Sequence, residues 1–294
     1  MSRIVVVGDV MLDVVARLSG PVAVGSDSEA SVSFGGGGSA ANVAAWLAFA
    51  GASPVLVARV GDDVRGASAG AELRAGGVDA RLVVDGEHPT GTCVVLVGPG
   101  GERSMLPDPG ANAFLASEDL PDSVLDAGGH LHVTGYSLVR PGPRPAALAA
   151  IARATAAEMS VSVDPSSAAL LGPGFLDLLE AVGLVLPNIE EAEALTGLAD
   201  PGTAARALAG RFPEVVVKLG AEGALWTDGT NEERVPAVEA IVPLDTTGAG
   251  DAFAAGLLAA RLRGASPAEA LGAGCELAAR AVVTPGARPP VQAP

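Results

Sequence analysis

The chain has 294 residues, with 18 Lys plus Arg against 34 Asp plus Glu and a formal net charge of −16. Phosphate backbones and anionic lipid repel such a charge, and no run of basic residues offsets it, which excludes a nucleic-acid or membrane-surface role. The 49 % of hydrophobic residues supply an ample core, while two cysteines, three histidines and one lysine exclude a disulfide scaffold, a zinc module and a Walker-type loop. That loop needs Gly-Lys-Ser/Thr, and the lysine, Lys218, precedes Leu219.

In chain order, a first strand is expected over Ile4–Val7, ending in Gly8-Asp9. Its apolar run is too short for a signal peptide and no stretch is long enough to span a membrane, so a cytoplasmic protein with reduced Cys93 and Cys275 is expected. Residues 13–18 and 29–34 alternate polar and apolar side chains and read as a half-exposed hairpin. Glycines 35–38 then lead into a helix over Ser39–Ala50, a strand over Pro54–Val60 and a helix over Val64–Ala75. A second alternating pair, Thr92–Val97 and Glu102–Leu106, flanks the turn Gly98-Pro99-Gly100-Gly101. Beyond it, strands at His130–Val133, Val161–Val163, Leu184–Leu186 and Val215–Leu219 alternate with helices at Pro145–Ala157, Pro173–Leu179, Glu190–Leu195 and Thr203–Leu208. Long helices follow at Asp251–Arg263 and Pro267–Val282, and the segment Arg288–Pro294 is expected to be frayed.

Near-continuous apolar strands separated by helices imply a mostly parallel sheet covered on both faces, an α/β fold with three layers. One domain over residues 1–294 is expected. The two alternating pairs interrupt this pattern as insertions over roughly residues 13–35 and 90–107, which read as a small β lid.

The segment Asp245-Thr246-Thr247-Gly248-Ala249-Gly250-Asp251 opens into an Ala/Leu-rich helix. Small residues let the amides of Gly248, Ala249 and Gly250 approach an anion, and the helix dipole favours it there. A carboxylate beside a phosphate is unfavourable unless it has a task. The task that fits Asp251 is to accept the proton of a hydroxyl attacking phosphorus. A plain N-capping aspartate is the simpler alternative. A companion segment, Gly35-Gly36-Gly37-Gly38-Ser39-Ala40-Ala41-Asn42, precedes the first helix, where the Asn42 amide is placed to bond sugar hydroxyls. It also fits a loose dinucleotide fingerprint, so an NAD(P)-dependent oxidoreductase is the alternative from another class, although no fingerprint follows the first core strand.

These two segments resemble the signatures of the PfkB, or ribokinase-like, family of carbohydrate kinases. Gly37 to Asn42, with Gly51 and Gly61 beyond, is similar to the N-terminal signature, and Asp245 to Leu258 to the C-terminal one. The resemblance extends over residues 3–287. It implies a ribokinase-like α/β core with a β lid, ATP as donor, Mg²⁺ as cofactor and a small sugar as acceptor. It further implies Asp251 as catalytic base, an anion hole at Gly248, Ala249 and Gly250, and sugar-binding roles for Asp13, Gly37, Gly38 and Asn42. Pro187-Asn188-Ile189-Glu190-Glu191 resembles the family's Asn-x-x-Glu motif, which places Asn188 and Glu191 by Mg²⁺ and phosphates. Lys218-Leu219-Gly220-Ala221-Glu222-Gly223 resembles the nucleotide-proximal turn, with Lys218 near the phosphates and Gly220 and Gly223 leaving room for the nucleotide. Asp245 and Thr247, with Thr284-Pro285-Gly286-Ala287, match the positions of a monovalent-cation site, implying K⁺.

The acceptor is less defined. Ser39 stands where ribokinases often have lysine. Six Phe, two Trp and one Tyr favour a sugar of the ribose, fructose or 2-keto-3-deoxygluconate class over a nucleoside stacked on aromatics; a nucleoside kinase of the same family is the alternative. Arg103 and Tyr136 are candidates to meet a substrate carboxylate or phosphate. A homodimer through the lid strands, which would protect their edges, is expected.

Overall fold

Four consecutive fully buried residues, Ile4 to Val7, alternate between two separate cores, as a strand covered on both faces must. The computed structural model describes residues 3–100, 102–125, 128–238 and 244–290, so Gly101 and residues 291–294 lie outside it. Its elements begin with β1 (Ile4–Val7), β2 (Met11–Leu18), β3 (Ala30–Gly37), α1 (Ser39–Phe49), β4 (Pro54–Gly61), α2 (Val64–Ala75), β5 (Asp79–Asp85), β6 (Gly91–Val97) and β7 (Arg103–Asp108). They continue with β8 (His130–Thr134), α3 (Gly135–Val139), α4 (Arg144–Ala156), β9 (Ser160–Asp164), β10 (Leu184–Val185), α5 (Ile189–Thr196) and α6 (Pro201–Ala209). The last are β11 (Glu214–Lys218), β12 (Ala224–Thr227), β13 (Glu232–Val235), α7 (Ala249–Leu262) and α8 (Pro267–Val282).

The large sheet has the order β13-β12-β11-β10-β9-β8-β1-β4-β5. From β11 to β5 neighbouring strands run parallel, while β12 and β13 add antiparallel at one edge. Ile4 and Val6 face a core shared with α1, α7 and α8, and Val5 and Val7 face one shared with α4, α5 and α6. The three-layer α/β/α arrangement expected from the sequence is the one observed.

Several elements differ from expectation. The edge strands β5 and β13 escape the apolar-run pattern because they carry charges, such as Asp79 and Arg81 in the one and Glu232-Glu233-Arg234 in the other, while β12, with the four buried residues Ala224 to Thr227, is too short to stand out. Helix α3 has five residues, too few to show a period. The helix expected at Pro173–Leu179 is 3-10 over Phe175–Leu179, entered through Gly174 in a left-handed conformation. Arg288 is not frayed: it is 7 % exposed and folded back into the structure.

The two interruptions join in a second sheet of order β3-β2-β6-β7, with β2 and β6 parallel. Cys93, Val95 and Val97 pack with Met11 and Val15 on its inner face. Phe34, Val14, Val94 and Leu106 share the outer face in register, and Phe34, Val94 and Leu106 are exposed. Gly35 to Gly37 are the end of β3, paired with Asp13, Leu12 and Met11, not a free loop.

Buried Asn112 joins the sheets. Its Oδ1 accepts from the Val10 amide at 3.0 Å, and its Nδ2 donates to the carbonyls of Val10 and Pro109, both at 2.9 Å. Val10 lies between β1 and β2, and Asn112 just past β7, so the bonds fix how one sheet leaves the other. Asn112→Ala leaves buried backbone groups unpaired and is expected to lower stability by about 2–3 kcal/mol in denaturant unfolding. A loss of under about 0.5 kcal/mol would show that the junction does not depend on it.

Candidate active site

The C-terminal ends of β1, β8, β9 and β11 and the N-termini of α1 and α7 surround a cavity of about 280 Å³. The inner face of the second sheet contributes Met11, Asp13, Cys93, Met105 and Pro107 to its wall. Open α/β sheets bind ligands at this end of the strands.

Asp251 lies in the first turn of α7 and faces the first turn of α1. Its Oδ1 accepts from Ser39 Oγ at 2.7 Å and its Oδ2 from Asn42 Nδ2 at 2.9 Å. Burial pushes its pKa up to about 7, even though both donors favour the charged form. A carboxylate with that pKa can exchange a proton near neutral pH. Gly248 enters α7 in a left-handed conformation, and a Cβ there would lie 2.5 Å from the Ala287 carbonyl oxygen. Gly248 and Gly250 line the cavity. Ala249 does not, and its amide donates to the Thr246 carbonyl at 3.3 Å. Of the three residues whose amides were expected to meet an anion, Gly248 and Gly250 thus line the cavity and Ala249 does not.

Asn42 is held from behind. Arg288 Nε donates to its Oδ1 at 3.3 Å, Nη2 to the Gly37 carbonyl at 2.7 Å and Nη1 to Glu72 at 3.2 Å. An amide oxygen facing a guanidinium leaves only the NH₂ group for Asp251, so Arg288 sets which end of Asn42 meets the carboxylate. Arg288 also fills the space over Gly36, and Asp13 fills that over Gly37, so these glycines contact protein and Gly37 does not line the cavity. The space over Gly36 and Gly37 is therefore filled by protein side chains rather than open to a dinucleotide pyrophosphate, which tells against the oxidoreductase reading. Gly38 and Asp13 do line the cavity, and burial raises the Asp13 pKa to about 6 against the pull of Arg288. Asp9 accepts from the Ser39 and Ala40 amides, both at 3.2 Å, capping α1.

Across the cavity, Lys218 Nζ donates to Asp164 Oδ2 at 2.5 Å. Burial disfavours its charge, but Asp164 and Glu191 outweigh burial and raise its pKa. Asn188 and Glu191 form a capping box on α5: Asn188 Oδ1 accepts from the Glu191 amide at 2.7 Å and Glu191 Oε2 from the Asn188 amide at 2.9 Å. Both line the cavity, and burial raises the Glu191 pKa. Magnesium held with a nucleotide needs only one or two carboxylates besides phosphate and water oxygens, a demand Glu191 and Asp164 can meet. Gly220 and Gly223 stand outside the cavity wall. Gly223 has a packing reason of its own, since a Cβ there would lie 2.0 Å from the Val235 carbonyl oxygen.

Asp245 and Arg103 also lie outside the cavity, in a smaller recess between the second sheet and residues 244–247. Asp245 Oδ1 accepts from the Thr247 amide at 3.0 Å and its hydroxyl at 2.6 Å. Arg103 Nη1 donates to Asp245 at 3.2 Å and to Thr247 Oγ1 at 2.5 Å, its Nη2 contacts the Thr246 hydroxyl, and Arg17 stands 3.5 Å from Oδ2. Burial opposes ionisation of Asp245, but Thr247, Gly286 and Arg103 hold its pKa below the usual range. Arg103 thus contacts the side-chain oxygens of Asp245 and Thr247 expected to take K⁺ and does not line the cavity.

The cavity gathers Asp13, Gly38, Asn42, Tyr136, Asn188, Glu191, Lys218, Thr247, Gly248, Gly250 and Asp251 from the expected set. Sequence reasoning missed the roles of Ser39, Asp164 and Arg288. Asp164 had a signal, a carboxylate at the end of a buried strand like Asp9. Arg288 had none, standing before two prolines.

The whole chain, residues 1–294, matches the pfkB family carbohydrate kinases. An ATP-dependent ribose-1-phosphate kinase of Halopiger xanaduensis is 35 % identical over 266 residues, covering 88 % of this chain and 84 % of its own. The adenosine kinase of Sinorhizobium meliloti superposes with a TM-score of 0.89 at 28 % identity, covering 98 % of this chain and 96 % of that one. The ribokinase of Thermotoga maritima superposes with a TM-score of 0.84 at 26 % identity, covering 98 % and 96 %. With a Gly-Ala-Gly turn and Asp251 at the start of α7, and a family match from one end to the other, the chain belongs to the pfkB family of carbohydrate kinases.

Proposed function

We propose that this protein transfers the γ-phosphoryl group of ATP to a hydroxyl of a small sugar, with Asp251 as general base. The observation that carries this reading is the half-buried Asp251 carboxylate, held by Ser39 and Asn42 beside Gly248 and Gly250, with desolvation raising its pKa to about 7. The hydroxyl proton passes to Asp251 as its oxygen bonds to phosphorus, and the bond from phosphorus to the departing ADP oxygen breaks. Gly248 and Gly250 offer amides at the helix start to the transferring oxygens. Asp13, Gly38 and Asn42 would hold sugar hydroxyls, and Lys218 would stand at the nucleotide end. Bound Mg²⁺, held near Glu191 and Asp164, supplies charge neutralisation on the phosphates. The second sheet would act as a lid that excludes water, since its inner face already forms part of the cavity wall.

A sugar is favoured over a nucleoside because Tyr136 is the one aromatic residue lining the cavity among the described residues, and Phe34 lies on the outer face. The charge next to the anion-binding turn is assigned to Arg103 rather than K⁺.

Asp251→Asn keeps the size and both neighbours while removing the base. It is expected to lower kcat by at least about a thousandfold with an unchanged melting temperature, read as ADP release across a panel of sugars. A variant within about threefold of wild type would remove the general-base role. Because Asp251 must be ionised to accept the proton, kcat/KM is expected to rise with pH through about 7. Ser39→Ala withdraws a donor from the charged form, so the acid limb of its profile should move to higher pH; an unshifted limb would separate Asp251 from that ionisation. Replacing K⁺ by Na⁺ or tetramethylammonium at constant ionic strength is expected to leave kcat within about twofold, whereas a loss of about tenfold would return a cation to Asp245 and Thr247.

A further inference from the structure

Two cations line the cavity among the described residues, Lys218 and Arg140. Lys218 is spent on Asp164. Arg140 makes no side-chain hydrogen bond or ion pair among the described residues and is half-buried. It follows α3, one helical turn beyond Tyr136, and shares the wall with Ser137, Pro143 and Pro109. Nor does Arg140 serve the helix end. The carbonyls of Leu138 and Val139 already accept from Arg144 Nε at 2.6 Å and Nη2 at 3.0 Å.

Its place in the sheet says which end of the cavity it serves. Arg140 follows β8, next to β1, which leads through Asp9 into β2 and Asp13. Lys218 ends β11, three strands further along the sheet, and its Nζ reaches back to Asp164 at the end of β9. Arg140 therefore stands on the β8–β1 side of the wall, by the segment that carries Asp9, and Lys218 enters it from the β11 side. The remaining charged groups of the wall are the carboxylates Asp9, Asp13, Asp164, Glu191 and Asp251. An anionic acceptor could enter so acidic a cavity only against a compensating cation, and a guanidinium offers a planar fork matched to phosphate or carboxylate oxygens.

We infer that Arg140 binds an anionic substituent of the acceptor, so that the substrate class is a sugar phosphate or a sugar acid rather than a neutral sugar. This rests on the kinase reading above. It moves the anion-reading role from Arg103, which is tied to Asp245, to Arg140.

The test compares wild type with Arg140→Ala and Arg140→Lys on ribose 1-phosphate against ribose, and on 2-keto-3-deoxygluconate against fructose. With wild type, the anionic member of at least one pair is expected to show a kcat/KM about 30-fold or more above its neutral partner. Arg140→Ala should reduce that preference about 30-fold, Arg140→Lys by less, with the KM for ATP within about threefold. A response to ribose 1-phosphate alone would identify a phosphate site, and one to 2-keto-3-deoxygluconate alone a carboxylate site. A preference for the neutral partners, or an equal loss on both members, would overturn the assignment. Calorimetric titration of the same compounds without ATP keeps the two readings apart. Binding of an anionic compound that Arg140→Ala abolishes supports the subsite even if no acceptor releases ADP, an outcome that defeats the kinase reading alone. Binding indifferent to Arg140 overturns the subsite.

Discussion

Two helices, α1 and α7, start against one half-buried carboxylate, and the site is organised around that meeting. Asp251 is desolvated, yet it is tied to Ser39 and Asn42 rather than to a cation. A salt bridge there would have held it ionised and weakly basic. Hydroxyl and amide donors instead leave burial as the dominant influence and keep the carboxylate near its neutral point. The glycines at the start of α7, the tight turn against Ala287 and the support behind Asn42 all serve to hold this geometry.

The other charges are partitioned by the same logic. Each cation that stabilises the frame is consumed by a carboxylate or a carbonyl: Lys218 by Asp164, Arg103 by Asp245, Arg288 by Glu72 and Gly37. What faces the cavity is then a set of oxygens graded by burial, together with two glycines at a helix start. Under the proposed reading, a chain of net charge −16 handles a highly charged donor because backbone dipoles and a bound metal ion would do what a basic cluster does elsewhere.

The parts of this arrangement that were legible in the sequence are those coded locally. The α/β alternation reads directly because buried parallel strands are continuous apolar runs, and Asp251, Gly248 and Asn42 stand in short segments whose turn chemistry is distinctive. Residues whose role depends on distant pairing were not legible. Arg103 seemed free to meet substrate because only the register of β6 with β7 carries it to Asp245. Gly223 looked like room for a ligand, yet the room is taken by Val235, placed there by the β12–β13 hairpin. Arg288 looked like the start of a loose tail because nothing within its own segment shows the polar niche of Gly37, Asn42 and Glu72 that it fills.

That niche bears on how the protein reaches its working form. Ser39 and Asp251 are 212 positions apart, and Asn42 and Arg288 are 246 apart. Contacts of such sequence separation come at a large loop-closure cost and form late, after local helices and adjacent strands have collapsed. Phosphoryl-transfer competence should therefore emerge as one of the final events of folding, when both extremes of the described chain have docked. Partly folded chains would already hold much of the sheet while Asp251 still lacked its partners Ser39 and Asn42. The same separation makes the site indivisible: no contiguous half of the sequence contains a working subset of it.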